Sequence, residues 1–200
     1  MRVIAGKFRS RTLKALPGLA TRPTYDRLKE TLFNVLGELE GAVFVDLFAG
    51  TGSIGIEALS RGAAQVYFVE SNAKAARLIG ENLAVLGITE GFEILQLPTA
   101  KGLRQLDARK LRCNYCFLDP PYQMQGAYEE ALRALAASDL LAEGAIVIAE
   151  HDKHFDPGNG MGALERYRLL RQGESALSFY ARRSVRSADE TQLPHQPNQP

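Results

Sequence analysis

The run Val43-Phe44-Val45-Asp46-Leu47-Phe48-Ala49-Gly50-Thr51-Gly52 constrains the fold more than any other stretch of the chain. A short apolar strand, Val43–Leu47, empties into a glycine-rich turn, and a helical pattern opens at Ser53, runs to Arg61 and closes at Gly62. A buried strand that turns straight into a helix needs a crossover and a parallel neighbour, so the chain is committed to an α/β sheet. The rest of the sequence keeps that alternation. Strand patterns at Gln65–Val69, Phe92–Gln96, Tyr115–Leu118 and Ala145–Ala149 are separated by helical ones at Asn72–Leu86, Thr99–Leu106 and Tyr128–Ala137. Leu164–Leu170 and Ala176–Arg182 alternate about Gly173 and predict a closing antiparallel pair.

The segments outside this pattern differ in composition. Residues 2–16 alternate around Gly6 and Ser10 and predict a β-hairpin or extended arm. Thr24–Leu39 follows Pro23 and carries Leu28, Leu32, Val35, Leu36 and Leu39 at helical spacing, with Thr24 as its cap. From Ser184 onward, Pro, Gln, Asn and charge replace apolar residues, which predicts a disordered tail. The net charge of +1 hides an asymmetry: residues 1–30 hold Arg2, Lys7, Arg9, Arg11, Lys14, Arg22, Arg27 and Lys29 against only Asp26 and Glu30. A basic arm on a mildly acidic body suits a polyanion, because each phosphate contact gains from counterion release; a merely solvated basic hairpin is the competing reading.

Apolar runs such as Ala145–Ala149 fall far short of the roughly 20 residues of a membrane helix, and basic residues interrupt the N-terminus, so a cytoplasmic protein is expected. Cys113 and Cys116 form a C-x-x-C pair with no second pair to complete four zinc ligands. They read as small, half-buried strand residues, and no metal is expected; His151 and His154 read the same way.

Gly50-Thr51-Gly52-Ser53-Ile54-Gly55 fits the dinucleotide pattern G-x-G-x-x-G. A pyrophosphate, however, tolerates no nearby anion, and Asp46 stands four residues before Gly50 at the strand's carboxyl end. An anion there suits S-adenosylmethionine, which carries a sulfonium and an ammonium and no phosphate. Glu70 ends the second strand, where a carboxylate can accept hydrogen bonds from both ribose hydroxyls; that feature is common to both ligand classes. The competing reading of Asp46 is a helix cap, and of Glu70 a surface carboxylate.

Asp119-Pro120-Pro121-Tyr122 follows the apolar Phe117-Leu118 at the edge where open α/β sheets bind ligands. The amino group of an aromatic base is a poor nucleophile, since its lone pair is delocalised into the ring. The Asp119 carboxylate and the Pro120 carbonyl can take its two N–H hydrogens, aim the lone pair and stabilise the cationic nitrogen that forms. Consecutive prolines hold that carbonyl nearly rigid. Tyr122 offers a ring face for an extruded base. An ordinary strand-exit turn is the alternative.

Together, Asp-x-Phe-x-Gly-x-Gly, Glu70 and Asp-Pro-Pro-Tyr resemble the class I methyltransferases that act on amino groups. Met1-Arg2-Val3-Ile4-Ala5-Gly6-Lys7, Thr21-Arg22-Pro23-Thr24 with Asp26-Arg27, Glu57 through Ala63, and Glu150-His151 sharpen the likeness. From residue 1 to about 182 the chain resembles the RsmD family of 16S rRNA guanine-N2 methyltransferases. That resemblance implies a Rossmann-like, seven-stranded, mostly parallel sheet with a C-terminal antiparallel hairpin. It implies S-adenosylmethionine as methyl donor, held at Asp46, Phe48, Ala49, Gly50, Thr51, Gly52 and Glu70, and a guanine amino group in small-subunit rRNA as acceptor at Asp119, Pro120, Pro121 and Tyr122. Thr99 stands where the family carries an aspartate toward the adenine, and Arg171-Gln172-Gly173 where it often has a tyrosine before the glycine. The expected organisation is a basic RNA-contacting extension at 1–40, a methyltransferase domain at 41–183 and a tail at 184–200, in a monomer. Arg9, Arg11, Arg22 and Arg27 are the expected RNA contacts.

Other acceptors remain open. DNA adenine enzymes usually add a target-recognition region for which 200 residues leave no room, and glutamine-directed enzymes favour Asn where Asp119 stands. An NAD-dependent oxidoreductase would need an acid–base residue near the nicotinamide, for which no candidate is visible. An inactive RNA-binding module would not need an intact Asp119–Tyr122 run.

Overall fold

The computed structural model describes residues 1–15, 23–121 and 123–183. Helix α1 (Pro23–Leu36) is followed by β1 (Val43–Leu47), α2 (Ser53–Ser60), β2 (Gln65–Val69), α3 (Ala73–Val85) and β3 (Phe92–Leu95). Then come α4 (Thr99–Ala108), β4 (Cys113–Leu118), α5 (Gly126–Ala137), β5 (Leu141–Asp152), β6 (Gly160–Met161), β7 (Leu164–Gln172) and β8 (Ser175–Arg182). One sheet holds the strands in the order β3-β2-β1-β4-β5-β8-β7-β6. Strands β1 to β5 are parallel, and β8 inserts antiparallel between β5 and β7. This is the Rossmann-like class I methyltransferase architecture, with the seven expected strands and the two-residue β6 added at the outer edge.

Each sheet face has its own core. Leu28, Leu32 and Phe33 of α1, Ile54, Ile56 and Ala58 of α2, and Ile79 and Leu83 of α3 pack on Phe44, Val66, Phe68 and Phe117. On the other face Leu103 and Leu106 of α4 and Leu132 and Leu135 of α5 cover Val45, Leu47, Val69, Leu118 and Val147. Alternate residues of each buried strand feed the two faces, which is why the strands read as continuous apolar runs. Cys113 and Cys116 are buried more deeply than expected, and burial pushes the Cys113 thiol up to about 12.

Helix α1 stops three residues before the expected Leu39, because Gly37 takes a left-handed φ of 75° and its N–H closes on the Phe33 carbonyl. The Thr24 side chain lies outside the described residues, as does the tail at 184–200. The N-terminal segment differs from a regular hairpin: its antiparallel pairing among the described residues is a single bridge, Arg2 to Thr12. Val3 N–H donates to the Arg11 carbonyl and Leu13 N–H to the Met1 carbonyl beside that bridge, while the N–H groups of Ile4, Ala5, Lys7 and Phe8 go to helix α2. Ile4 and Ala5 N–H donate to the two carboxylate oxygens of Glu57, at 2.7 and 2.9 Å, and Lys7 N–H donates to the Ser60 carbonyl. Gly6 lies so close to the Ser60 carbonyl that a Cβ would collide with it, and its φ is 79°. Val3 and Leu13 thereby join the same core as α1 and α2.

Candidate active site

The parallel register brings four strand ends into line. Leu47 pairs with Val69 on one side and Leu118 on the other, and Leu118 pairs with Ala149. The next residue in each strand therefore emerges at one edge: Phe48, Glu70, Asp119 and Glu150. The strand order reverses between β1 and β4, which opens the crevice where such sheets hold ligands. A cavity of about 800 Å³ sits there. Asp46, Phe48, Ala49, Gly50, Thr51, Glu70, Thr99, Asp119, Pro120 and Pro121 all line it. Gly52 lies just behind, buried at the N-terminus of α2, where its left-handed φ of 77° starts the helix.

The glycine loop is tightly held. Gly50 has a φ of 55°, and Phe48 adopts a left-handed φ of 61° that a non-glycine residue reaches only at a cost of about 1–3 kcal/mol. Glu70 fastens the loop from below: one oxygen accepts the Gly50 N–H at 2.8 Å and the other the Asn72 N–H at 2.7 Å. Asn82 of α3 fastens it from behind, donating to the Thr51 carbonyl and to the Lys14 carbonyl while accepting the Lys14 N–H. A carboxylate with free lone pairs at the end of β2, beside backbone held in left-handed conformations, fits a ligand that brings two vicinal hydroxyls.

Asp46 has two parts to play. It lines the cavity, but its Oδ2 accepts the buried Gly55 N–H at 2.9 Å, so the carboxylate also caps helix α2. Burial pushes its carboxyl up to about 8, with the Gly55 hydrogen bond opposing and Asp119 and Glu70 adding to the rise. Asp119 leaves β4 half-buried, and desolvation raises its carboxyl well above the ordinary range. Pro120 beside it is buried. Tyr122 lies outside the described residues.

The basic residues divide. Arg2, Arg9 and Arg27 line a second, polar groove of about 720 Å³, and Met1 and Asp26 line both it and the main cavity. The two spaces are thus neighbours. Arg9 and Arg27 are exposed; Arg11 is exposed outside the groove lining; Arg22 lies outside the described residues. Lys29, counted with the basic arm in the sequence, is internal. Its Nζ donates to the Arg2 carbonyl at 2.7 Å and to Ser53 Oγ at 2.9 Å, and stands 3.7 Å from Glu57. Burial lowers its proton affinity, with Glu57 and Asp26 pulling it back up.

Sequence reading overlooked Lys29, Glu57 and Asn82 as parts of the site's frame, because each looks like a helix-surface polar residue. It also assigned nothing to Glu150, which lines the cavity at the end of β5 and is only 7% exposed. The Tyr128 hydroxyl donates to the Glu150 carbonyl at 2.7 Å and fixes that strand end. No group of three or more His, Cys, Asp or Glu able to hold a metal occurs among the described residues. Nor is any described helix long and apolar enough to cross a membrane.

The family model described as conserved hypothetical protein 95 matches residues 1–181. The Bacillus subtilis protein YlbH is 35% identical over 92% of this chain and 100% of its own length. The Escherichia coli K12 protein named ribosomal RNA small subunit methyltransferase D is 31% identical over 88% of this chain and 93% of its own. The solved structure of Escherichia coli yhhF superposes with a TM-score of 0.79 at 29% identity, covering 91% of this chain and 97% of that one.

Proposed function

Since the chain belongs to the conserved hypothetical protein 95 family, we propose that it transfers a methyl group from S-adenosylmethionine to the N2 amino group of a guanine in 16S rRNA of the small ribosomal subunit. Methyl transfer from S-adenosylmethionine is the activity that the class I fold and the relatives support together. The guanine and the rRNA rest on the resemblance and on the site. One observation carries the acceptor chemistry: Asp119-Pro120-Pro121 opens into the same cavity as the glycine loop and Glu70.

The donor supplies an electrophilic methyl on a sulfonium; everything else is done by this chain. Glu70 is suited to take the ribose hydroxyls, while the backbone of Phe48, Ala49, Gly50, Thr51 and Gly52 wraps the amino-acid end. Asp46 presents its carboxyl toward the donor's cationic groups, whose charge favours its ionised form over the protonated form that burial alone favours. Thr99, at the first turn of α4, offers a hydroxyl and a helix-terminal N–H to the adenine. Asp119 and the Pro120 carbonyl accept the two amino hydrogens and so aim the nitrogen lone pair away from its ring. Because they are fixed before the base arrives, they stabilise the developing charge on nitrogen without reorganising. Tyr122 stacks the base. The nitrogen gains the methyl and loses one proton, and the raised proton affinity of Asp119 makes it a competent first acceptor. Arg9 and Arg27 along the groove, with Arg11 and Arg22, hold phosphates of the RNA.

The test is label transfer from S-adenosylmethionine to small subunits from a strain lacking the enzyme, to naked 16S rRNA and to duplex DNA, with Asp119→Ala as control. Label in rRNA that falls on the order of 100- to 1,000-fold in the variant supports the reading. Label in DNA alone, or a variant as active as the wild type, removes it.

A further inference from the structure

Glu150 is a buried carboxyl in the cavity to which the proposed reaction gives no role. It follows Ala149, the register partner of Leu118, just as Asp119 follows Leu118. The two carboxyls therefore emerge side by side from adjacent strands, whose backbones lie about 4.8 Å apart. Both line the cavity. Glu150 is more than nine-tenths buried, and no hydrogen bond or ion pair to its carboxyl occurs among the described residues; its oxygens are not sealed in the core but reach the cavity. Its main chain is fixed through Tyr128, so the side chain is not a loose surface group that has folded inward. A carboxyl this far desolvated is costly to leave unpaired, and a ligand in the cavity can supply the partner it lacks. Burial and the neighbouring Asp119 by themselves both raise its proton affinity; a ring N–H donated to it favours its ionised form, which a ring lone pair would not.

Two acceptors in a row call for two donors in a row. On a nucleobase the amino group is flanked by a ring nitrogen, and that nitrogen differs between bases. In adenine and cytosine it bears a lone pair, which would face Glu150 and repel it. In guanine the amino carbon lies between N3, which bears a lone pair, and N1, which bears a hydrogen, so N1–H and the N2 amino group form adjacent donors on one edge. We propose that Glu150 reads the target base: its carboxyl accepts the ring N–H beside the amino group held by Asp119, and thereby selects a guanine edge. This deepens the guanine reading above and rests on it.

The experiment first locates the labelled nucleotide in 16S rRNA and then replaces it, by ligation, with 2-aminopurine, which keeps the amino group and lacks the ring N–H. Wild type and Glu150→Gln are compared on both RNAs, with cofactor affinity measured in parallel. The wild type should lose on the order of 100-fold on 2-aminopurine. The variant should lose a similar factor on guanine and little more on 2-aminopurine, with its cofactor affinity unchanged; the two changes are then not additive. The wild-type comparison stands alone if the variant does not fold. Equal wild-type rates on both RNAs, or a variant with the wild-type preference, would overturn the role of Glu150 while leaving the guanine reading intact. Failure to label any guanine removes the substrate reading and this assignment together.

Discussion

Asp46 shows how one side chain can serve fold and ligand at once. Its carboxylate caps α2 through Gly55 and lines the cavity. Burial holds its carboxyl in the folded protein at about 8, above the ordinary aspartate value of 3.8. Between those limits the folded protein keeps a proton that the unfolded chain releases, so stability must fall as pH rises through that window. Asp46→Asn, which keeps an acceptor for Gly55, should flatten this decline; denaturant unfolding at a series of pH values measures it. A decline as steep in the variant would assign it to other groups. At this scale the sequence was readable where chemistry is contiguous, as in Asp119-Pro120-Pro121 and the Gly50–Gly52 loop. Glu150 was not readable in that way. Its neighbour Asp119 is set beside it by the pairing of β4 and β5, which local spacing does not reveal.

Among the elements, α2 is the hinge between arm and sheet. Glu57 gives its oxygens to Ile4 N–H, Ala5 N–H and Arg61 Nε, with Lys29 close by. Both charged side chains of the Lys29–Glu57 pair are fully buried. Removing one member leaves the other desolvated and unpaired, so Glu57→Ala should destabilise the protein by about 3–5 kcal/mol. Chemical denaturation checks the loss, and faster proteolysis within residues 1–15 would show that the arm detaches. Gly55 makes a second test. A Cβ there meets the Phe68 ring of β2, so Gly55→Ala should cost about 1–3 kcal/mol through overpacking. The strand–helix alternation was legible because each parallel strand is apolar on both faces. The length of β5 was not, since Glu143-Gly144 interrupts its start and Glu150-His151-Asp152 ends it with polar residues. Its beginning crosses a register shift, with Gly144 at a φ of 71°. Its end is polar because it reaches the cavity and the buried His151–Ser178 contact. The arm pairs with itself at Arg2 and Thr12, but its docking on α2 through Glu57 and Ser60 is what alternation within residues 2–16 cannot disclose.

For the whole molecule, the charge asymmetry has to be read through burial. Lys29 belongs to the interior, Arg2 pairs with Asp26 and Lys14 with Glu81, which leaves Lys7, Arg9, Arg11 and Arg27 as the exposed cations of residues 1–30 among the described residues. Arg9→Glu with Arg27→Glu should weaken RNA binding, reduce its salt dependence and spare cofactor affinity. Filter binding across salt concentrations decides this; an unchanged salt slope would move the RNA interface elsewhere. The groove and the cavity share Met1 and Asp26, so the proposed RNA path along the arm would open directly onto the cavity of Asp119 and Glu150. The measurement that bears most directly on the whole account is the chemical identity of the product. Small subunits labelled by the enzyme are digested to nucleosides, and the methylated species is identified by mass. The account predicts N2-methylguanosine, absent when Asp119→Ala replaces the wild type; label in methylated adenosine, or in ribosomal protein, would contradict it.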